Sequence, residues 1–123
     1  MLNRRQKFGK AGESIAVRYL RSKGYRILEQ NYRTILGEID IIPNDRKTLV
    51  FVEVKSRNSG DFGNPKGAVT PQKQRKISMV ALQYLKSTDQ MRAKARFDVV
   101  AIWSSHASPQ IELVKNAFNL AYE

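Results

Sequence analysis

The sequence contains no cysteine, a single histidine and no long uncharged apolar run. Without cysteine there are no disulfides and no thiolate metal sites, which leaves carboxylate oxygens and His106 as the conventional side-chain metal ligands. A bound metal is therefore expected to be hard, such as Mg²⁺ or Mn²⁺. Without a long apolar run there is no transmembrane helix or secretory signal, so we expect a cytoplasmic protein with no membrane partner.

Acidic residues are also scarce, with 11 Asp and Glu against 22 Lys and Arg, a net charge of +11 and a pI near 10.2. Such a balance favours a polyanionic partner, of which nucleic acid is the commonest in the cytoplasm. The alternative is a basic surface that is merely solvated. A chain of 123 residues is long enough for one core, which predicts a single domain over residues 1–123.

Hydrophobic periodicity predicts the first half of the chain to be a helix followed by three strands joined by hairpins, which makes those strands antiparallel. A basic arm over Met1–Lys10 leads into the helix. The predicted elements are a helix from Phe8 to about Ser22 capped by Gly24, and strands over Tyr25–Tyr32, Gly37–Ile42 and Leu49–Lys55.

The second half begins with a long loop rich in turn formers, Ser56–Gly67. Loops of this length in compact domains are usually functional or disordered. Thr70 and Pro71 then predict the cap and first residue of a second helix. The remaining predicted elements are a strand over Arg96–Trp103 buried on both faces, a short strand over Gln110–Val114, and a terminal turn or helix over Asn116–Tyr122.

The strand Leu49–Lys55 is unusual because it carries an acid and a base within an apolar run. Side chains alternate along a strand, so Glu53 and Lys55 share one face. The hairpin between this strand and the preceding one places Asp40 beside Glu53. Two unpaired carboxylates at so short a distance repel each other, and a bound cation would relieve the repulsion. The alternative is an exposed cross-strand ion pair, which adds only about 0.2–1 kcal/mol.

Glu13 lies at the edge of the apolar stripe of the first helix. An acid there either has a buried partner or is a first-turn acid favoured by the helix dipole. Together with Glu38, these residues suit phosphodiester hydrolysis, which requires charge neutralisation at the phosphate and an activated water. Carboxylates can hold one or two Mg²⁺ ions, and Lys55 can orient or deprotonate the attacking water.

Basic residues cluster at the start of the second helix, where they oppose the helix dipole. Phosphate binding explains such a cluster, because the helix amino terminus also offers free N–H groups. The residues expected to contact phosphate are Arg57, Lys66, Lys73, Arg75 and Lys76. His106, in a serine-rich turn, is interpreted as a solvated histidine.

Four motifs together resemble the bacterial YraN-like family of predicted endonucleases: "G-E-x-x-A-x-x-Y-L", "G-E-I-D", "V-E-V-K" and "R-F-D-V-V". That family is similar to archaeal Holliday junction resolvases and belongs to the PD-(D/E)XK, restriction-endonuclease-like superfamily. The resemblance implies an α/β fold with an αβββαβ core, a mixed central sheet flanked by helices. It also implies that Asp40, Glu53 and Glu13 are metal ligands and that Lys55 is the catalytic lysine.

Glu38 matches an acid of the family motif without a settled role, and Ile39 replaces the superfamily's proline. The resulting hypothesis is an Mg²⁺-dependent or Mn²⁺-dependent endonuclease acting on structured or branched DNA, for which a homodimer would allow symmetric cuts. A non-catalytic nucleic-acid-binding module that keeps the fold is the alternative. An RNA-processing nuclease is a third reading.

Overall fold

A five-stranded mixed sheet with one helix on each face is the framework of the protein. The computed structural model describes residues 3–57, 69–103, 108 and 110–120; Lys66, His106 and most of the predicted loop lie outside the described residues. The elements in chain order are α1 (Arg4–Ser22), β1 (Arg26–Thr34), β2 (Gly37–Asp45), β3 (Thr48–Arg57), α2 (Pro71–Ser87), β4 (Lys94–Trp103) and β5 (Gln110–Phe118).

The strands lie in the sheet in the order β1-β2-β3-β4-β5. β1 to β3 form an antiparallel meander, as the sequence predicts, and β4 and β5 are also antiparallel. β3 and β4 are parallel, because α2 carries the chain back across the sheet between them. This arrangement confirms the predicted α/β fold with an αβββαβ, restriction-endonuclease-like core.

Alternating side chains of β3 separate the core into two layers. Val50 and Val52 pack with α1 residues such as Leu20, whereas Leu49 and Phe51 pack beneath α2. Burial of both faces explains the near-continuous apolar sequence of this central strand. Among the described helices, none is both long and apolar enough to cross a membrane.

Both chain ends differ from the prediction. Helix α1 begins at Arg4, so most of the expected basic arm belongs to the first helical turns. Residues Asn116–Phe118 continue strand β5 and are not a terminal turn or helix. The strand continues because Asn116 adopts a left-handed φ of 53° at a bulge and its amide donates to Asp98 Oδ1 (2.9 Å).

A network of buried and half-buried charges joins the start of β4 to the end of β2 and to Tyr25, just before β1. Asp98 is fully buried and accepts hydrogen bonds from Arg96 Nε (3.0 Å) and Tyr25 Oη (3.3 Å). Arg96 also donates to Asp45 Oδ2 (2.8 Å). Burial and the neighbouring Asp98 carboxylate raise the pKa of Tyr25 to about 12. Every charge in the network has a partner, as buried ions require.

We predict that Asp98→Asn lowers the free energy of unfolding by about 3 kcal/mol or more, because it removes one partner of a buried ion pair. Urea unfolding monitored by circular dichroism measures this difference. The control is Glu112→Gln on exposed β5, for which a change within about 0.5 kcal/mol is expected. Equal effects of the two substitutions would contradict a structural role for this network.

Candidate active site

Two carboxylates meet where strands β2 and β3 separate. The backbone ladder between these strands runs from Asp45 and Thr48 to Ile41 and Val52. Beyond it, Asp40 Oδ2 accepts a hydrogen bond from the backbone amide of Val54 (2.8 Å). The carboxyl groups of Asp40 and Glu53 are close enough for each to affect the pKa of the other. The sequence-predicted pairing of these two acids is therefore present in the structure.

Burial and mutual repulsion both disfavour the charged forms of these two acids. Glu53 is only 7% exposed. Burial and the nearby negative charge of Asp40 raise the pKa of Glu53 to about 8. Burial also raises the pKa of Asp40, although the hydrogen bond from the Val54 amide opposes this shift. A nearby positive charge would therefore stabilise the charged forms of this pair.

Two lysines supply positive charge to Glu53. Lys73, in the first turn of α2, places its Nζ 3.7 Å from Glu53 Oε1. Lys55, two residues beyond Glu53 on β3, also lowers the pKa of Glu53 but has a smaller effect than Lys73. The cation in contact with the acid pair is therefore the residue expected to bind phosphate, and not the predicted catalytic lysine.

Glu13, on α1, is joined to Glu38 through a bridge made by Asn31. In the amide orientation that satisfies its hydrogen bonds, Asn31 donates to Glu13 Oε1 (2.8 Å) and to Glu38 Oε1 (3.1 Å). Burial raises the pKa of Glu13, with further contributions from the charges of Asp40 and Glu38. Glu13 therefore belongs to the acid cluster. The alternative of a first-turn acid favoured by the helix dipole is wrong, because α1 begins at Arg4 and Glu13 lies well inside the helix.

Besides its contact with Asn31, Glu38 forms an ion pair with Arg33, which partly neutralises its charge. Arg33 Nε lies 3.1 Å from Glu38 Oε2 across the β1–β2 hairpin, on the exposed side of the cluster. Glu38 still adds negative charge near Asp40 and Glu13 and raises the pKa of both. Its position is that of an acid bordering the site, tied to the hairpin.

Close packing of α1 on β3 fixes the position of Glu13. A Cβ atom at Gly12 would collide with Ser56 Oγ, whereas a Cβ at Gly9 would meet no atom within 4 Å. The absent side chain at Gly12 allows the helix to approach the sheet. Because Glu13 follows directly, this contact determines how near its carboxylate lies to the other acids.

The remaining predicted phosphate contacts lie on elements that border the site. Arg57 ends β3 and is half-buried. Arg75 and Lys76 follow Lys73 on α2, whose start is capped by Thr70 Oγ1 accepting from the Lys73 amide (3.2 Å). These positions place positive charge at the amino-terminal end of α2, next to the acids.

The donor set suits a hard divalent cation. Asp40 and Glu53 present oxygen ligands in a protected position, and Mg²⁺ is often held by one or two carboxylates together with water and phosphate. Across residues 3–57, 69–103 and 110–120, no three acidic or histidine side chains are arranged as a ready-made metal cage. Asp40 and Glu53 alone would leave the other coordination positions of such an ion to water and substrate.

Asn31 and the contact of Lys73 with Glu53 were not foreseen from the sequence. Asn31 adopts a left-handed φ of 53° within β1, and asparagine is enriched in that conformation. An asparagine within a strand was therefore the available signal for a local irregularity. That Asn31 bridges two acids depends on the packing of α1 and could not be read from the sequence.

Comparisons with known proteins identify related chains over nearly the whole length. A family model described as "Uncharacterised protein family UPF0102" matches residues 12–102. A "UPF0102 protein" of Desulfosudis oleivorans is 51% identical over 119 residues, covering 97% of this chain and 95% of the relative. A "UPF0102 protein" of Geobacter metallireducens is 55% identical over 114 residues, covering 93% of each chain. These names state no activity.

We predict that Gly12→Ala lowers the free energy of unfolding by about 1–3 kcal/mol, because the new methyl group overpacks the contact with Ser56. Gly9→Ala is the matched control on the same helix, and it should raise stability by up to about 1 kcal/mol through helix propensity. Thermal and urea unfolding compare the two. Adding Ser56→Ala to Gly12→Ala should restore part of the loss; equal effects of the two glycine substitutions would contradict the close contact.

We predict that the metal-free protein loses stability as the pH rises from 4.5 to about 8. The folded protein keeps a proton on Glu53 in this range, whereas the unfolded chain releases it, so the free energy of unfolding falls by at most about 1.4 kcal/mol per pH unit. Glu53→Gln removes this dependence and should be more stable than the wild type near the upper end of the range.

Urea unfolding across this pH range in the presence of EDTA measures the dependence. Glu112→Gln, which changes an exposed acid on β5, should keep the wild-type slope. Parallel curves for the wild type and Glu53→Gln would show that Glu53 is not the group responsible.

Proposed function

This chain belongs to the uncharacterised protein family UPF0102, and we propose that it is a metal-dependent nuclease that hydrolyses phosphodiester bonds in DNA. The observation that carries the proposal is the buried contact between Asp40 and Glu53, with a lysine against it. Burial raises the pKa of both acids, and the charge of Asp40 raises that of Glu53 further. Such a pair favours a divalent cation, because the cation relieves both burial and repulsion. The resemblance to YraN-like predicted endonucleases supports the same reading.

Asp40 and Glu53 would hold Mg²⁺ or Mn²⁺, with Glu13 beside them as the third acid. When bound, the metal would neutralise charge at the scissile phosphate and acidify a water molecule. Glu53 must give up its proton before it can act as a ligand. Lys55, on the same strand face as Glu53, would orient the attacking water or hydrogen-bond a phosphate oxygen.

The substrate backbone would follow the basic side of the site. Lys73, Arg75 and Lys76 stand on the first two turns of α2, where the helix amino terminus adds its own N–H groups. Arg57 ends the neighbouring strand β3, and Lys66 follows in the chain. The net charge of +11 supports a nucleic-acid partner. We propose structured or branched DNA, with an RNA substrate as the alternative within the same chemistry.

A second candidate function is a nucleic-acid-binding module that keeps the fold without cutting. It is favoured by one observation: within the described part of the chain no three acids or histidines form a ready-made metal cage. This module would bind DNA in a salt-dependent manner and would take up no divalent cation. The protonated pair of Asp40 and Glu53 would then be a permanent feature of its core.

We also propose that the protein acts in the cytoplasm and as a homodimer on branched DNA. Two strands of a junction must be cut symmetrically, and a two-fold dimer provides two identical sites in that relation. Light scattering of the protein with and without a four-way junction would measure the stoichiometry.

We predict that the purified protein cleaves DNA only when Mg²⁺ or Mn²⁺ is added. The assay uses a panel of labelled substrates: linear duplex, single strand, flap, four-way junction and an RNA hairpin. Asp40→Asn, Glu53→Gln and Lys55→Met should each lower the cleavage rate by about 100-fold or more, since each removes a group that acts on the reacting phosphate or its metal.

Glu112→Gln is the control, because this exposed acid on β5 changes the charge without entering the site. Its cleavage rate should match that of the wild type. Binding of every substrate with no cleavage of any, together with no calorimetric signal for Mn²⁺, would favour the non-catalytic module instead.

A further inference from the structure

We propose that Lys73 is a built-in cation that holds the Asp40–Glu53 pair while no metal is bound, and that a divalent cation displaces it and frees its ammonium group for the substrate phosphate. The inference rests on the proposed function. It assigns to Lys73 two successive partners: first Glu53, then the nucleic acid. Metal loading and substrate binding would thereby be linked through one side chain.

The first observation is the contact itself. Lys73 Nζ lies 3.7 Å from Glu53 Oε1, and the Lys73 side chain is 45% exposed while that of Glu53 is 8% exposed. Charge-assisted hydrogen bonds are usually about 2.7–2.9 Å long, so this is a loose ion pair. No short charge-assisted hydrogen bond holds the ammonium group against Glu53. An arriving divalent cation can therefore replace the ammonium at little energetic cost.

The second observation is how the backbone of Lys73 is held at the start of α2. Its backbone amide is fixed by the Thr70 side chain (3.2 Å) at the start of α2, two residues after Pro71. The backbone is thus held in place, while the long and partly exposed side chain can still rotate. Swinging away from Glu53 requires only rotation about side-chain bonds, and the helix does not have to move.

Helix stability does not account for a lysine at this position. The amino-terminal end of a helix carries partial positive charge and disfavours cations, and α2 has no acid in its first turn. The negative charge that compensates Lys73 comes from Asp40 and Glu53, and Lys73 lowers the pKa of both acids. Its effect on the pKa of Glu53 is larger than that of Lys55. The lysine therefore serves the acid pair and not the helix.

The test is calorimetric titration of the full chain with Mn²⁺, comparing wild type with Lys73→Met and with Lys10→Met. Lys10 is the matched control because it is an exposed lysine whose charge also acts on the acid cluster, through Glu13. We expect Lys73→Met to bind Mn²⁺ about 3-fold to 10-fold more tightly than the wild type, and Lys10→Met to change affinity by less than about 2-fold.

A second readout follows Lys73 to its other partner. Binding of a fluorescent four-way DNA junction is measured in Ca²⁺, a hard cation that also takes carboxylate oxygens. Lys73→Met should weaken this binding by about 3-fold or more, as loss of a phosphate contact does. Tighter metal binding and weaker DNA binding in one variant is the result expected only if Lys73 changes partners.

Several results would overturn the inference. Unchanged or weaker Mn²⁺ binding by Lys73→Met would do so and would leave the proposed nuclease standing. If Lys10→Met tightened Mn²⁺ binding as much as Lys73→Met does, the effect would come from the loss of positive charge in general and not from the contact of Lys73 with Glu53. Junction binding that is unaffected by Lys73→Met would remove the second partner. If neither the wild type nor Lys73→Met binds Mn²⁺, the inference fails together with the proposed metal site.

Discussion

The antiparallel pairing of β2 with β3 is the constraint on which the rest of the site depends. It brings Asp40 next to Glu53 at the point where the two strands separate and the Asp40 side chain takes over a backbone amide. Each helix then adds one electrostatic partner from its own side: Glu13 from α1 and Lys73 from α2. The fold thus concentrates charge at one end of a hairpin that is otherwise buried and apolar.

The two groups of buried charges in this protein differ in kind. Asp98 accepts hydrogen bonds from Arg96, Tyr25 and the amide of Asn116, so its charge is fully compensated. Asp40 and Glu53 instead lie together with only a long contact from Lys73 to Glu53, and both have raised pKa values. The first arrangement is typical of groups that stabilise a fold; the second is typical of groups arranged for a task, since perturbed acids concentrate at functional sites.

Much of the fold and the acid pair could be predicted from the sequence, because both follow from local rules. Strand alternation and a short hairpin are enough to place Glu53 and Asp40 together. The bridge from Asn31 and the reach of Lys73 to Glu53 could not be predicted, since they depend on how the helices pack on the sheet. The continuation of β5 was missed because the left-handed Asn116 resembles a strand terminator unless its bond to Asp98 is known.

The irregular outer strands have a consequence for self-association. Within the described part of the chain, the sheet has two open edges, β1 and β5. Each contains a break in its ladder, at Ile27/Glu29 in β1 and opposite Phe97/Val99 in β5. Bulges and charged side chains at an edge prevent another chain from extending the sheet, which protects a soluble protein from aggregation. In the proposed homodimer, the second copy would therefore dock through helix or loop surfaces, so that the two candidate sites would be related by side-chain contacts and not by a continuous sheet.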